Sequence, residues 1–217
     1  MVVTWTGDFA EPARPLVIRR GEIPAPFGPA AVQYTLLRLS PGGDVVAAAV
    51  ESGGRPGVVL IPLAAGEPRP LAAAAGDEPV QEIAWSPDGR FLAVAGGTTV
   101  RVFEIATGVE RAALAAEGRL FGPLGGDGWA PDSSAFAAGV SNGIMVLAPG
   151  VAPRHVGYEG APFEARSAAF AGWHGREVLI RDLSTGIFYS QGVEAMSSSS
   201  TRSRPAPAWS GSRKLCG

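Results

Sequence analysis

The sequence predicts an all-β protein, and three observations carry that expectation. A turn phrase recurs three times, as LSPGGDVVAAAV from Leu39, WSPDGRFLAVAG from Trp85 and WAPDSSAFAAGV from Trp129. Its prolines, Pro41, Pro87 and Pro131, lie 46 and 44 residues apart, and a second set of turn glycines, Gly66, Gly108 and Gly150, is spaced by 42 and 42. Between these turns run short segments rich in Val, Ile, Leu, Phe and Ala, divided by Gly and Pro. A period of about 40–46 residues is that of propeller blades. The expected architecture is therefore a β-propeller of about four recognisable four-stranded blades. Four lies at the bottom of the range for a closed ring, so a fragment of a longer propeller, or an open arc, is the alternative to a closed ring.

The clearest unit, VQEIAWSPDGRFLAVAGGTTVRVFEIATGVERAALAA, places its four strands at about 79–86, 90–96, 98–105 and 109–115. Ser-Pro-Asp-Gly suits the first hairpin. Pro87 presets φ, Asp88 tolerates the next position, and Gly89 can take the left-handed conformation that closes the turn. Pro41 and Gly43 fill the same roles in the first unit, and Pro131 and Asp132 in the third. There Ser133 stands where the other units have glycine, at a cost of about 1 kcal/mol if the left-handed geometry is kept. The second strands, VVAAAV from Val45, FLAVAG from Phe91 and AFAAGV from Ala135, are apolar on both faces. Strands buried between stacked blades need that pattern, and their alanines let neighbouring sheets approach closely. A two-sheet sandwich also has short strands and frequent turns; the near-constant period favours the propeller.

The blades are expected at about 31–76, 77–118, 119–160 and 161–193. Residues 1–30 form an N-terminal segment in which RPLVIRRG, from Arg14, could be an outer strand clasping another blade. The fourth unit, SAAFAGWHGREVLIRDLSTGIFYS, carries Phe170 at the tryptophan position. Gly186 follows Gly150 by only 36 residues, so a strand is shortened or the hairpin turn sits at GWHG. Residues 194–217 are rich in Ser, Arg and Pro and read as a disordered tail, or, from the echo of Trp85-Ser86 in Trp209-Ser210, as the start of a further blade.

In these residues the chain resembles the WD-repeat β-propeller superfamily, and more closely its bacterial Tol-type branch, whose recurring phrase is Trp-Ser-Pro-Asp-Gly. The resemblance covers roughly residues 30–190 and is best from Trp85 to Gly108. Where the namesake Trp-Asp would end a third strand, this chain has Phe103-Glu104 and Arg181-Asp182. No Gly-His dipeptide opens a unit, so the buried His-Ser-Asp-Trp network of eukaryotic members is expected to be absent.

Composition narrows the function classes. With 46% apolar and 18% charged residues the chain reads as globular, and its formal net charge of −2 lacks the basic footprint that phosphate backbones require. Nucleic acid is excluded as an expected partner. Lys214 is the only lysine and Asn142 the only asparagine, a usage that reads as GC-rich coding background. Cys216 is the only cysteine, so no internal disulfide and no thiolate metal site is expected. No signal peptide and no membrane span is visible, which gives cytoplasmic localisation as the expectation.

The motifs that could carry chemistry each have a plainer reading. Gly139 to Gly143 matches the Gly-x-Ser-x-Gly elbow of serine hydrolases, but Asn142-Gly143 between apolar runs is a hairpin signal, and no helix follows to hold Ser141 as a nucleophile. His155 and His174 have no second ligand at metal spacing, and the acids Asp127 with Asp132, and Asp77 with Glu78, are too few for a calcium loop. GPLGGDG from Gly122 lacks the Lys-Ser/Thr of a phosphate loop. Trp85 and Trp129 read as packing residues. The expected function is a non-enzymatic scaffold that binds a protein through one propeller face, with no cofactor and no metal. That face bears the loops joining the fourth strand to the next first strand and the second strand to the third, which puts Arg55, Asp77, Glu78, Asn142 and Glu159 forward as contacts. The alternative is a propeller enzyme, or the accessory propeller of a lactonase-like or peptidase-type hydrolase. A sensor or scaffold domain of a larger signalling protein is a third reading.

Overall fold

The computed structural model describes residues 2–6, 14–18, 25–26, 33–52, 55–64, 66–73, 78–115, 120–121, 128–140, 143–156, 168–182, 188–192 and 204–205. Every regular element among them is a strand, and every pairing is antiparallel between neighbours in sequence. The first sheet holds β1 (Val2–Thr6), β2 (Arg14–Ile18) and β3 (Ala25–Pro26). Four four-stranded sheets follow, the blades. Blade one holds β4 (Gln33–Leu39), β5 (Val45–Ser52), β6 (Arg55–Pro62) and β7 (Arg69–Ala73). Blade two holds β8 (Val80–Trp85), β9 (Phe91–Gly96), β10 (Thr99–Glu104) and β11 (Glu110–Ala115). Blade three holds β12 (Leu120–Phe121), β13 (Phe136–Val140), β14 (Gly143–Leu147) and β15 (Arg154–Val156). Blade four holds β16 (Ala168–His174), β17 (Glu177–Asp182), β18 (Phe188–Gly192) and β19 (Arg204–Pro205).

The strands of blade two fall within one residue of those expected from its pattern of apolar runs. Three details differ from the sequence reading. Among the described residues RPLVIRRG supplies β2, which pairs with β1 and β3 in a separate sheet and not with a strand of a blade. The fourth unit extends past residue 193, because Arg204–Pro205 pairs with Tyr189 and Ser190 as its outer strand. The GWHG turn is the first hairpin of blade four, so Arg181-Asp182 ends its second strand, not its third.

The core lies between the sheets. Ala47, Ala49, Val58, Leu60 and Leu71 of blade one meet Val80, Ile83, Leu92, Val94 and Phe103 of blade two. On the other face of blade two, Phe91, Ala93, Ala95, Val100 and Val102 meet Trp129, Phe136, Ala138, Met145 and Leu147 of blade three. Ala135, Ala137, Ile144 and Val146 then meet Val178 and Ile180 of blade four. Side chains alternate along a strand, so a strand such as β9 serves two interfaces at once and must be apolar throughout. Its first five residues are all buried. The alanines at the centre, Ala47, Ala48, Ala49 and Ala137, have 0% exposure, because a larger side chain there would force the sheets apart.

Candidate functional site

The repeated phrase builds one device three times. The N–H of Gly43, Gly89 and Ser133 donates to the carbonyl of Ser40, Ser86 and Ala130 at 2.9, 2.9 and 2.8 Å. The N–H of Ser40, Ser86 and Ala130 donates to the carbonyl of Val45, Phe91 and Ala135 at 2.8, 3.0 and 2.8 Å. The residue closing each turn is left-handed, with φ 72° at Gly43, 72° at Gly89 and 63° at Ser133, so the third unit keeps the geometry without the glycine. Ser133 has a use for its hydroxyl: the Asp88 N–H of the preceding blade donates to its Oγ at 3.1 Å.

A carboxylate caps each turn. In blade two the Ser86 hydroxyl donates to Asp88 Oδ1 at 2.7 Å, the Arg90 N–H donates to the same oxygen at 3.0 Å, and the Phe91 N–H donates to Ser86 Oγ at 2.9 Å. Partial burial raises the Asp88 carboxyl. The bonds from Ser86, Arg90 and Ser133, with the Arg90 charge, outweigh it and hold the group below its ordinary value. In blade three Asp132 is lowered to about 2, chiefly by hydrogen bonding from Ser134 against some burial, and further by Arg176, whose Nε donates to Oδ2 at 2.7 Å. In blade one Gly42 stands where the aspartate would be, and Asp44 reaches back instead, accepting from the Ser40 hydroxyl at 2.7 Å. Sequence reasoning missed Asp44; its signal was the displaced acid in Ser-Pro-Gly-Gly-Asp.

The tryptophans join blade to blade. The Trp85 indole N–H donates to the Arg38 carbonyl, Trp129 to Ala84, and Trp173 to Gly128, each at 3.0 Å. In every case the acceptor is the residue just before the equivalent position of the preceding blade. Trp173, not Phe170, is therefore the fourth unit's tryptophan; Phe170 packs edge-on against it, with ring centroids 6.3 Å apart. Trp129 is buried between Phe91 and Phe136, 6.0 and 5.4 Å from their ring centroids. The packing role expected of Trp85 and Trp129 holds, and the hydrogen bond adds direction to it. At the outer turns Arg69 donates to the Ile105 carbonyl, and the Gly150 N–H donates to Arg111 at 2.8 Å. Glu104 is held below its ordinary value, first by Arg111, whose Nη2 lies 2.5 Å away, then by Thr107.

The opposite edge carries two of the residues expected to bind, Arg55 and Glu78. Arg55 opens β6 in register with Ser52, at the hairpin from second to third strand. Glu78 is exposed just before β8 and lies against the β9–β10 hairpin. A Cβ on Gly97, whose φ is 57°, would stand 2.8 Å from the Glu78 Cγ. Asp77, Asn142 and Glu159 lie outside the described residues, as do Ser141 and Asp127. His155 sits in β15 in register with Met145, and His174 is exposed at the end of β16, 4.0 Å from Glu177. Among the described residues no group of three or more His, Cys, Asp or Glu side chains could hold a metal ion, and no helix is long and apolar enough to cross a membrane.

No protein-family model matches the chain, and no curated protein matches it. Solved structures do. The β-propeller domain of Cps50 (Swd1) from Myceliophteria thermophila is 18% identical, with a TM-score of 0.52 over 75% of this chain and 52% of that one. TolB from Acinetobacter baumannii is 16% identical, with a TM-score of 0.52 over 88% of this chain and 52% of its own. An uncharacterised protein from Listeria monocytogenes EGD-e is 13% identical, with a TM-score of 0.50 over 74% and 51%. The chain spans about half the length of these structures. Four successive four-stranded sheets, packed face to face in chain order and similar to the β-propeller domain of Swd1, make the fold a β-propeller.

Proposed function

We propose that this chain is a non-enzymatic binding platform that holds a protein partner on the edge bearing Arg55 and Glu78. The observation that supports this reading is a chemical difference between the two loop edges. On the turn edge, Ser40, Asp44, Ser86, Asp88, Asp132 and Ser133 are engaged in holding turns and neighbouring blades together. The lowered carboxyls of Asp88 and Asp132 are kept ionised as caps, whereas proton-transfer catalysis calls for a group tuned toward the working pH. On the other edge Glu78 is exposed and makes no hydrogen bond or ion pair among the described residues, beside the exposed Thr98. Polar side chains unused by the fold and presented by rigid hairpins are what a partner surface can read.

The test is a binding titration. A partner recovered by crosslinking is titrated against the purified chain, the double charge reversal Arg55→Glu/Glu78→Arg, and Thr107→Ala on the turn edge as a control. The double reversal is expected to weaken binding at least tenfold with melting unchanged, and the control to leave it intact. Equal affinity for all three chains would refute the assignment of the edge.

A further inference from the structure

Each blade turns an apolar face to the blade that follows. Blade one presents Ala47, Ala49, Val58, Leu60 and Leu71, blade two Phe91, Ala93, Ala95, Val100 and Val102, and blade three Ala135, Ala137, Ile144 and Val146. Blade four breaks this series. Its β17 directs Val178 and Ile180, with 0% and 2% exposure, back into blade three. Alternation along the strand then puts Glu177, Leu179 and Arg181 on the far face. Their register partners are His174, Gly172 and Ala169 on β16 and Gly192, Ser190 and Phe188 on β18. Glu177, Arg181 and His174 are exposed, and Leu179 and Ser190 are half-buried. Two charges stand on the second strand at the positions that hold Val45 and Ala49 in blade one, Phe91 and Ala95 in blade two, and Ala135 and Gly139 in blade three; under another sheet they would be desolvated with no apolar gain to offset the cost.

We propose that blade four is a capping blade, whose far face is made to meet water and takes no further blade in the apolar way that joins the others. The function is the one that polar outer faces serve at the ends of repeat arrays, where they keep an apolar stack from growing or aggregating. The stack is protected differently at its other end: Tyr34, Ala48, Val50 and Ile61, on the opposite face of blade one, are buried already. Among the described residues the polar cap is thus a property of the fourth sheet.

The experiment uses matched lysine substitutions on neighbouring positions of β17. Leu179→Lys is expected to keep a cooperative melt within about 2 °C of the parent chain, the range of surface substitutions, whereas Val178→Lys is expected to lose the cooperative transition. In a separate chain, Glu177→Leu/Arg181→Leu is expected to convert the parent's sedimentation profile into a concentration-dependent series of larger species, because an unmatched apolar face has been created. The proposal is overturned if Leu179→Lys melts as poorly as Val178→Lys, since another sheet must then cover that face. It is equally overturned if both lysines are tolerated, or if the double leucine chain sediments as the parent does.

Discussion

Replacing Trp129 with phenylalanine isolates the joint between blades two and three. The indole lies buried at 4% exposure, with its N–H 3.0 Å from the Ala84 carbonyl and its rings against Phe91 and Phe136. Phenylalanine keeps an aromatic in the slot and removes the donor. A neutral hydrogen bond contributes about 1 kcal/mol net, and leaving a buried carbonyl without its donor costs about 1–3 kcal/mol. With the void left by the smaller ring, the expected loss is about 2–3 kcal/mol. For a chain of this length each kcal/mol moves the melting temperature by about 2–4 °C, so the fall should be about 4–12 °C. Urea unfolding followed by circular dichroism should show a lower midpoint at unchanged slope, the signature of stability lost from an intact fold. The same exchange at Trp85, where the ring is only half-buried, should cost about 1 kcal/mol, since water can replace the lost donor at Arg38. A loss at Trp129 below about 0.5 kcal/mol, or a larger loss at Trp85 than at Trp129, would refute the view that these indoles join the blades.

Other perturbations test the turns and the edges. Gly89→Val should destabilise by about 1–3 kcal/mol through its φ of 72° alone, since an added Cβ would meet nothing closer than Pro41 Cδ at 3.8 Å; Gly89→Asn, which tolerates left-handed backbone, should recover most of that in the same denaturant titration. Asp132, lowered to about 2, and Asp88, also lowered, have folded values below their unfolded ones, so their contribution is present above pH about 4 and is lost as pH falls toward 2. Melting temperature followed through that window should drop, and Asp132→Asn should flatten the drop. A chain ending at residue 203 lacks β19, whose pairing with β18 involves only Tyr189 and Ser190; its melting point should fall by a few degrees at most, and faster amide exchange should be confined to blade four.

Much of the architecture was legible because one turn has one chemical solution. Pro87, Asp88 and Gly89 each satisfy a separate backbone demand, so their recurrence marks hairpins, and the doubly apolar β5, β9 and β13 mark sheets buried on both sides. In blade four GWHG was one of two readings of the hairpin, and it is where the turn lies, but the tryptophan position was misplaced because that turn is closed by the short His174-Gly175-Arg176 stretch, without proline or aspartate. With the turn signal gone, Phe170 looked like the anchor, although Trp173 makes the bond. Asp44 escaped because a carboxylate two residues along the chain reaches the same serine as one inside the turn, a freedom of side-chain reach that spacing does not show. The candidate contacts were harder still. A loop residue that the fold does not use leaves no periodic trace, so Glu78 could be proposed only from its place, and Asp77, Asn142 and Glu159 fall outside the described residues.

The indole joints also bear on how such a chain can lengthen. Each of Trp85, Trp129 and Trp173 points backward as donor, while the peptide immediately ahead of Trp85 and of Trp129 serves as receptor for the next unit. Both halves of the coupling travel within one stretch of sequence, so a duplicated unit arrives able to attach to its parent on one side and to accept its sibling on the other, before any mutation has tuned the fit.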